Sequence, residues 1–91
     1  MSYKILIDLV IQREMGIIGR HKTLEVVKDV GISTDDTGET LENDHTFQIN
    51  DLEKLMTRFN EKYGPVAVMG CKIAVARKAR EQSLQLPPIL R

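Results

Sequence analysis

The stretch Gly64–Leu86, GPVAVMGCKIAVARKAREQSLQL, decides how the rest of the chain is read. Pro65 fixes φ and lacks the amide donor that the first turn of a helix leaves unused, and the glycine before it suits the end of a preceding helix. From Pro65 to Ala79 nearly every residue is small or apolar. On a helix, Val66, Met69, Ile73 and Ala76 fall on one stripe, with Val68, Val75 and Ala79 close to a second. A helix that is apolar on two sides needs cover on two sides, so this segment is expected to be the longest and most buried helix, with the other segments as its covers. Ala67, Gly70, Cys71 and Ala74 add small side chains that let another backbone come close.

Immediately before it, Asn50-Asp51-Leu52-Glu53 has the residue types of a helix-capping pattern, in which the Asn50 side chain and Glu53 satisfy free amides of the first turn. Leu52, Leu55, Met56, Phe59 and Tyr63 then keep the spacing of one helical face, which predicts a third helix ending at Gly64. After Leu84, Pro87 and Pro88 favour an extended, polyproline-like tail over residues 85–91. Its apolar residues Leu86, Ile89 and Leu90 are expected to dock on their own domain or on a second subunit.

At the other end, Tyr3–Ile18, YKILIDLVIQREMGII, places Lys4, Asp8 and Gln12 four residues apart, one narrow polar stripe on an otherwise apolar helix. A strand over residues 3–12 would put Leu6 and Val10 beside charged residues on its outer face, so helix is the better reading. So much apolar surface calls for more than one neighbour. A second, shorter helix is predicted from about Lys22 to Val30, with Gly31 in the left-handed position after it and Ile32 folding back on Val27. Leu24, Val27 and Val30 would face the core, pairing this helix with the first. Ser33–Gly38, STDDTG, is turn chemistry, and the following TLENDHTF is read as an acidic loop or a short hairpin with Asn43 and Asp44 at its tip.

Ninety-one residues, 42% hydrophobic and 29% charged, fit one soluble globular domain with limited capacity to bury its own surface. No apolar run reaches the roughly 20 residues of a membrane span, and no signal-peptide pattern opens the chain, so no membrane role and a cytoplasmic location are expected. The formal net charge of zero conceals a segregation. Residues 1–28 carry five basic and three acidic side chains, residues 29–53 eight acidic and no basic ones, and residues 54–91 eight basic and two acidic. The acidic middle is expected to lie against the basic last helix, within one chain or between two; otherwise one charged face binds a partner.

Catalytic and metal chemistry find little support. His21 and His45, with Cys71 and the acids Asp35, Asp36, Glu39, Glu42 and Asp44, have no recognised ligand spacing, and both histidines read as surface residues. Cys71, the single cysteine, reads as a small buried hydrophobe, and Lys72 beside it points about 100° away around a helix. No glycine loop cradles phosphate, and no cofactor is implied. Lys72, Arg77, Lys78 and Arg80, helped by Arg58, Lys62 and Arg91, form the best surface for nucleic acid, yet the chain has no tryptophan and its Phe59 and Tyr63 belong to the core stripe.

The sequence therefore predicts an all-α fold: a small bundle of four helices in one domain over residues 1–91. Its expected function is that of a non-enzymatic, self-associating interaction or regulatory module, a homo-oligomer or the binder of a protein partner, with Ile5, Leu9, Val66, Ile73, Ile89 and Leu90 as contact positions. A nucleic-acid-binding protein using Arg77, Lys78 and Arg80 is the first alternative, and a sensory domain enclosing a small apolar ligand the second.

Overall fold

The computed structural model describes residues 2–43 and 45–91. Among them the chain forms helices α1 (Lys4–Ile17), α2 (Arg20–Asp29), α3 (Ile49–Tyr63) and α4 (Pro65–Glu81), with a two-stranded antiparallel hairpin between α2 and α3 and a closing 3-10 turn at Pro88–Leu90. In the hairpin β1 (Ser33–Thr34) pairs with β2 (Thr40–Leu41), Ser33 opposite Leu41 and Thr34 opposite Thr40. The four-helix, all-α architecture is the one the periodicities predict.

The core is built from one face of each helix. Leu6, Ile7, Val10 and Ile11 of α1, Val26 and Val27 of α2, Leu52, Leu55, Met56 and Phe59 of α3, and Ala67, Val68, Cys71, Val75 and Ala79 of α4 are buried together. α1 packs on both α2 and α4, and α3 packs on α4. The end of α2 follows its sequence signal: Gly31 takes a φ of 82°, its amide donates to the Lys28 carbonyl, and the Ile32 amide donates to the Val27 carbonyl. α4 stops in the same way with a less suited residue, since Ser83 sits at a φ of 56° while the Leu84 amide donates to the Ala79 carbonyl.

Four expectations change. The cap of α3 lies two residues earlier than Asn50: Gln48 is the N-cap, and its amide donates to Asp51 Oδ2 at 2.7 Å. Phe47 before the cap and Leu52 after it are both buried, the two positions at which apolar side chains staple a helix start. The same asparagine-to-glutamate spacing two residues on was a decoy.

The hairpin tip is Asp35–Glu39, not Asn43 and Asp44; Asn43 lies beyond β2, and Asp44 falls outside the described residues. Asp35 makes the turn, its Oδ1 accepting from the Thr37 amide, the Thr37 hydroxyl and the Glu39 amide. These donors hold its carboxyl below the usual carboxylate range, the Thr37 hydroxyl foremost.

α4 is the longest helix, but it is not the most buried one. Its stripe Val66, Met69 and Ile73 stands in solvent. The tail is not extended throughout, and it is not free: Pro88–Leu90 turns once and packs on α3 and α4, leaving Leu90 2% exposed. Tyr3 fastens the approach to that turn, its hydroxyl donating to the Gln85 carbonyl at 2.9 Å.

Candidate functional site

At 100° per residue Val66, Met69, Ile73, Arg77 and Arg80 fall on a single ridge of α4, on the far side from Cys71 and Val75. The inner stripe is sealed, whereas Val66, Met69 and Ile73 are 65%, 67% and 77% exposed. Both apolar sides anticipated from the sequence are therefore present, and the chain itself covers one of them. The ridge is continued across the neighbouring helix by Ile17, which is also exposed and whose Cδ1 lies where a Cβ on Gly70 would have to go. Gly70 thus lets α1 approach α4 closely, and Arg13 closes the contact by donating from Nε and Nη2 to the Gly70 carbonyl at 3.3 and 3.2 Å. Together these four side chains put large apolar groups in solvent beside one another on α1 and α4.

Basic groups border this patch. Arg13 flanks it on α1, and Lys72, Arg77 and Arg80 flank or extend it on α4. The acidic middle does not cover them. Among the described residues its ion pairs are made elsewhere, Asp29 with Arg58 and Lys62 and Glu39 with Lys4, while Asp51 lies 2.9 Å from the His45 ring. Lys78 pairs with Glu81 of its own helix at 3.3 Å. Glu42 is occupied by the Ser2 hydroxyl and the Phe47 amide, which hold its carboxyl below the ordinary range, the Ser2 contact foremost. The expected pairing of acidic middle with basic last helix is thus absent within the described residues of one chain.

The six contact positions divide. Val66 and Ile73 lie on the ridge, while Ile5 and the half-buried Leu9 line a separate surface groove between α1, the hairpin and Lys78. Ile89 is half-buried beside the core and Leu90 is inside it, so the tail serves its own domain. Met69 and Ile17 belong to the patch although neither is among those six positions. Met69 was legible from the stripe; Ile17 was not, since its membership depends on the close approach at Gly70.

Glu14 is the residue that sequence reading missed. It is 0% exposed, and among the described residues neither Oε1 nor Oε2 has a hydrogen-bond partner. Burial pushes its carboxyl up to about 7. The signal was present, because Ile7, Ile11, Glu14 and Ile18 recur at helical spacing on the inward face, apart from the polar stripe of Lys4, Asp8 and Gln12. Across the seam, burial first and the Glu14 charge second push the Cys71 thiol up to about 12, with Arg13 opposing. Cys71 is the buried small side chain its setting suggested, and a protonated one at neutral pH.

His21 is exposed beside Glu25, and His45 sits 2.9 Å from Asp51 Oδ2 at the start of α3. Among the described residues no three His, Cys, Asp or Glu side chains converge to hold a metal ion, and no helix is long and apolar enough to cross a membrane. The chain matches no family model, no curated protein and no solved structure.

Proposed function

We propose that the chain is a non-enzymatic, cytoplasmic interaction module that self-associates through the α4 ridge. The observation that carries this reading is the exposure of Val66, Met69 and Ile73 on a helix whose opposite side is fully packed. A second copy fits the ridge because the spacing is self-complementary. With a two-fold axis near Met69, Val66 of one copy meets Ile73 of the other in antiparallel register, with Ile17 alongside. Burying three large apolar side chains per copy supplies the driving force, at roughly 1.5–3 kcal/mol for each side chain fully covered.

Sedimentation at tens of micromolar is expected to give a dimer, and Ile73→Glu a folded monomer with an unchanged helical circular-dichroism spectrum. A wild-type chain that sediments as a monomer overturns the reading.

A second reading rests on Arg77 and Arg80, which are exposed and have no carboxylate within ion-pair distance among the described residues. They offer two cations on one face to the phosphates of nucleic acid, whereas Lys78 lies about 100° further round the helix and pairs with Glu81. Retention on duplex or single-stranded nucleic acid that falls steeply with salt supports it; no retention at low salt rejects it.

A further inference from the structure

A carboxyl with no hydrogen-bond partner inside an apolar wall can stay only as the neutral acid, because an unpaired charge there loses its hydration without compensation. Glu14 is in that position, on α1, at the seam with α4. The seam is shaped for close contact: Gly70 carries no side chain, Ile17 lies over it, and Ala67 and Cys71 on the facing helix are small and buried.

We propose that Glu14 is a latch, holding the α1–α4 seam shut while its carboxyl is neutral and loosening it on ionisation, so that the self-association face beneath which it lies is lost as pH rises. The part that concerns association rests on the reading above; the latch itself does not.

Among the described residues no neighbouring charge offsets the ionised form. Arg13 is next in sequence, but its guanidinium is engaged at the Gly70 carbonyl. From α4 the titratable group at the seam is the Cys71 thiol, protonated at neutral pH. α2 and α3 direct their charges to one another at the surface, Lys62 to Glu25 and Asp29, Arg58 to Asp29 and Glu61, with His21 on Glu25 and Lys22 over the Tyr63 ring. An ionised Glu14 must therefore admit water or draw Arg13 inward. Either movement separates α1 from α4 at Gly70, and with it Ile17 from Val66 and Ile73. The face spans that seam, so a face that is continuous when the seam is closed is split when it opens.

The test compares wild type with Glu14→Gln, and with the similarly long but apolar Glu14→Met should the amide fold poorly. Association by sedimentation and thermal unfolding are both followed from pH 6 to pH 8.5 at constant ionic strength. The wild-type dimer is expected to dissociate severalfold more readily at the higher pH, with a lower Tm, and both variants to be flat in both measurements. The difference between the wild-type and variant profiles isolates Glu14. A wild-type Tm as flat as that of the variants overturns the latch. A sloping Tm with a constant dimer affinity overturns its link to the face. Absence of self-association at every pH removes the proposed function instead, and the Tm profile still decides the latch.

Discussion

Asp8 receives both the backbone amide and the hydroxyl of Thr40, each at 2.8 Å, through one carboxylate oxygen, while its other oxygen takes the Lys4 ammonium at 2.7 Å. A two-stranded hairpin is marginal by itself, and here it is fixed to α1 by a buried threonine on a charged acceptor. The Asp8 contact is the foremost cause that raises the Lys4 ammonium above its ordinary value. Asp8→Ala leaves the buried Thr40 donors without an acceptor, and a loss of roughly 1.5–3 kcal/mol follows from hydrogen bonds to a charged group. Urea unfolding is expected to show the reduced midpoint, and hydrogen exchange a Thr40 amide that loses protection while α3 keeps its own.

Ser83 closes α4 in a left-handed conformation that costs a residue with a Cβ about 1 kcal/mol and costs glycine much less. Ser83→Gly is expected to stabilise the fold by roughly 0.5–1 kcal/mol, the remainder being offset by the greater freedom of glycine in the unfolded chain. Calorimetry should register a Tm higher by a few degrees. A lower Tm would show that the Ser83 side chain contributes more than its backbone strain removes.

The fold was legible where one physical signal dominated. The stripe Leu52, Leu55, Met56 and Phe59 and the Gly31 stop each depend on local chemistry alone, and both stand as read. Reading failed where two local signals competed or where distant residues decide. Gln48 and Asp51 outcompete Asn50 and Glu53 as a cap because Phe47 is pulled into the core. Asp8 looks like a solvent-facing member of a polar stripe until Thr40 is brought to it from 32 residues away. The candidate face was half legible: Val66 and Ile73 follow from periodicity, whereas Ile17 joins them only through the notch at Gly70.

The pH profile of stability follows from Glu14 with a definite sign. Its folded value of about 7 lies above the 4.5 of the unfolded chain, so the unfolded state releases the proton first as pH rises. Stability is therefore greatest below about 4.5 as far as this group is concerned, falls between 4.5 and about 7, and is constant above. The span corresponds to on the order of 3 kcal/mol for a fully buried group. Glu14→Met is expected to exceed wild type in urea resistance at pH 8 by about that amount and by much less at pH 5. Equal gains at both pH values would assign the effect to packing.

The charge of the rim gives self-association a salt dependence opposite to that of nucleic-acid binding. A two-fold contact centred on Met69 brings Lys72, and Arg13 at the Gly70 carbonyl, of one copy towards the same groups of the other, and like charges at an exposed rim repel over about 10 Å at 0.1 M salt. Raising the salt from about 0.05 to about 0.5 M, where that range contracts severalfold, is expected to tighten the dimer. Arg77→Glu is expected to leave the dimer nearly unchanged, since in antiparallel register position 77 lies roughly 20 Å along the axis from its counterpart, beyond the range of the screened charge. Binding to phosphates runs the other way, weakened by the same salt and by the same substitution as counterions are released. Sedimentation of wild type and Arg77→Glu at the two salt concentrations therefore separates the readings. A dimer that loosens with salt would place acidic rather than basic groups opposite the ridge.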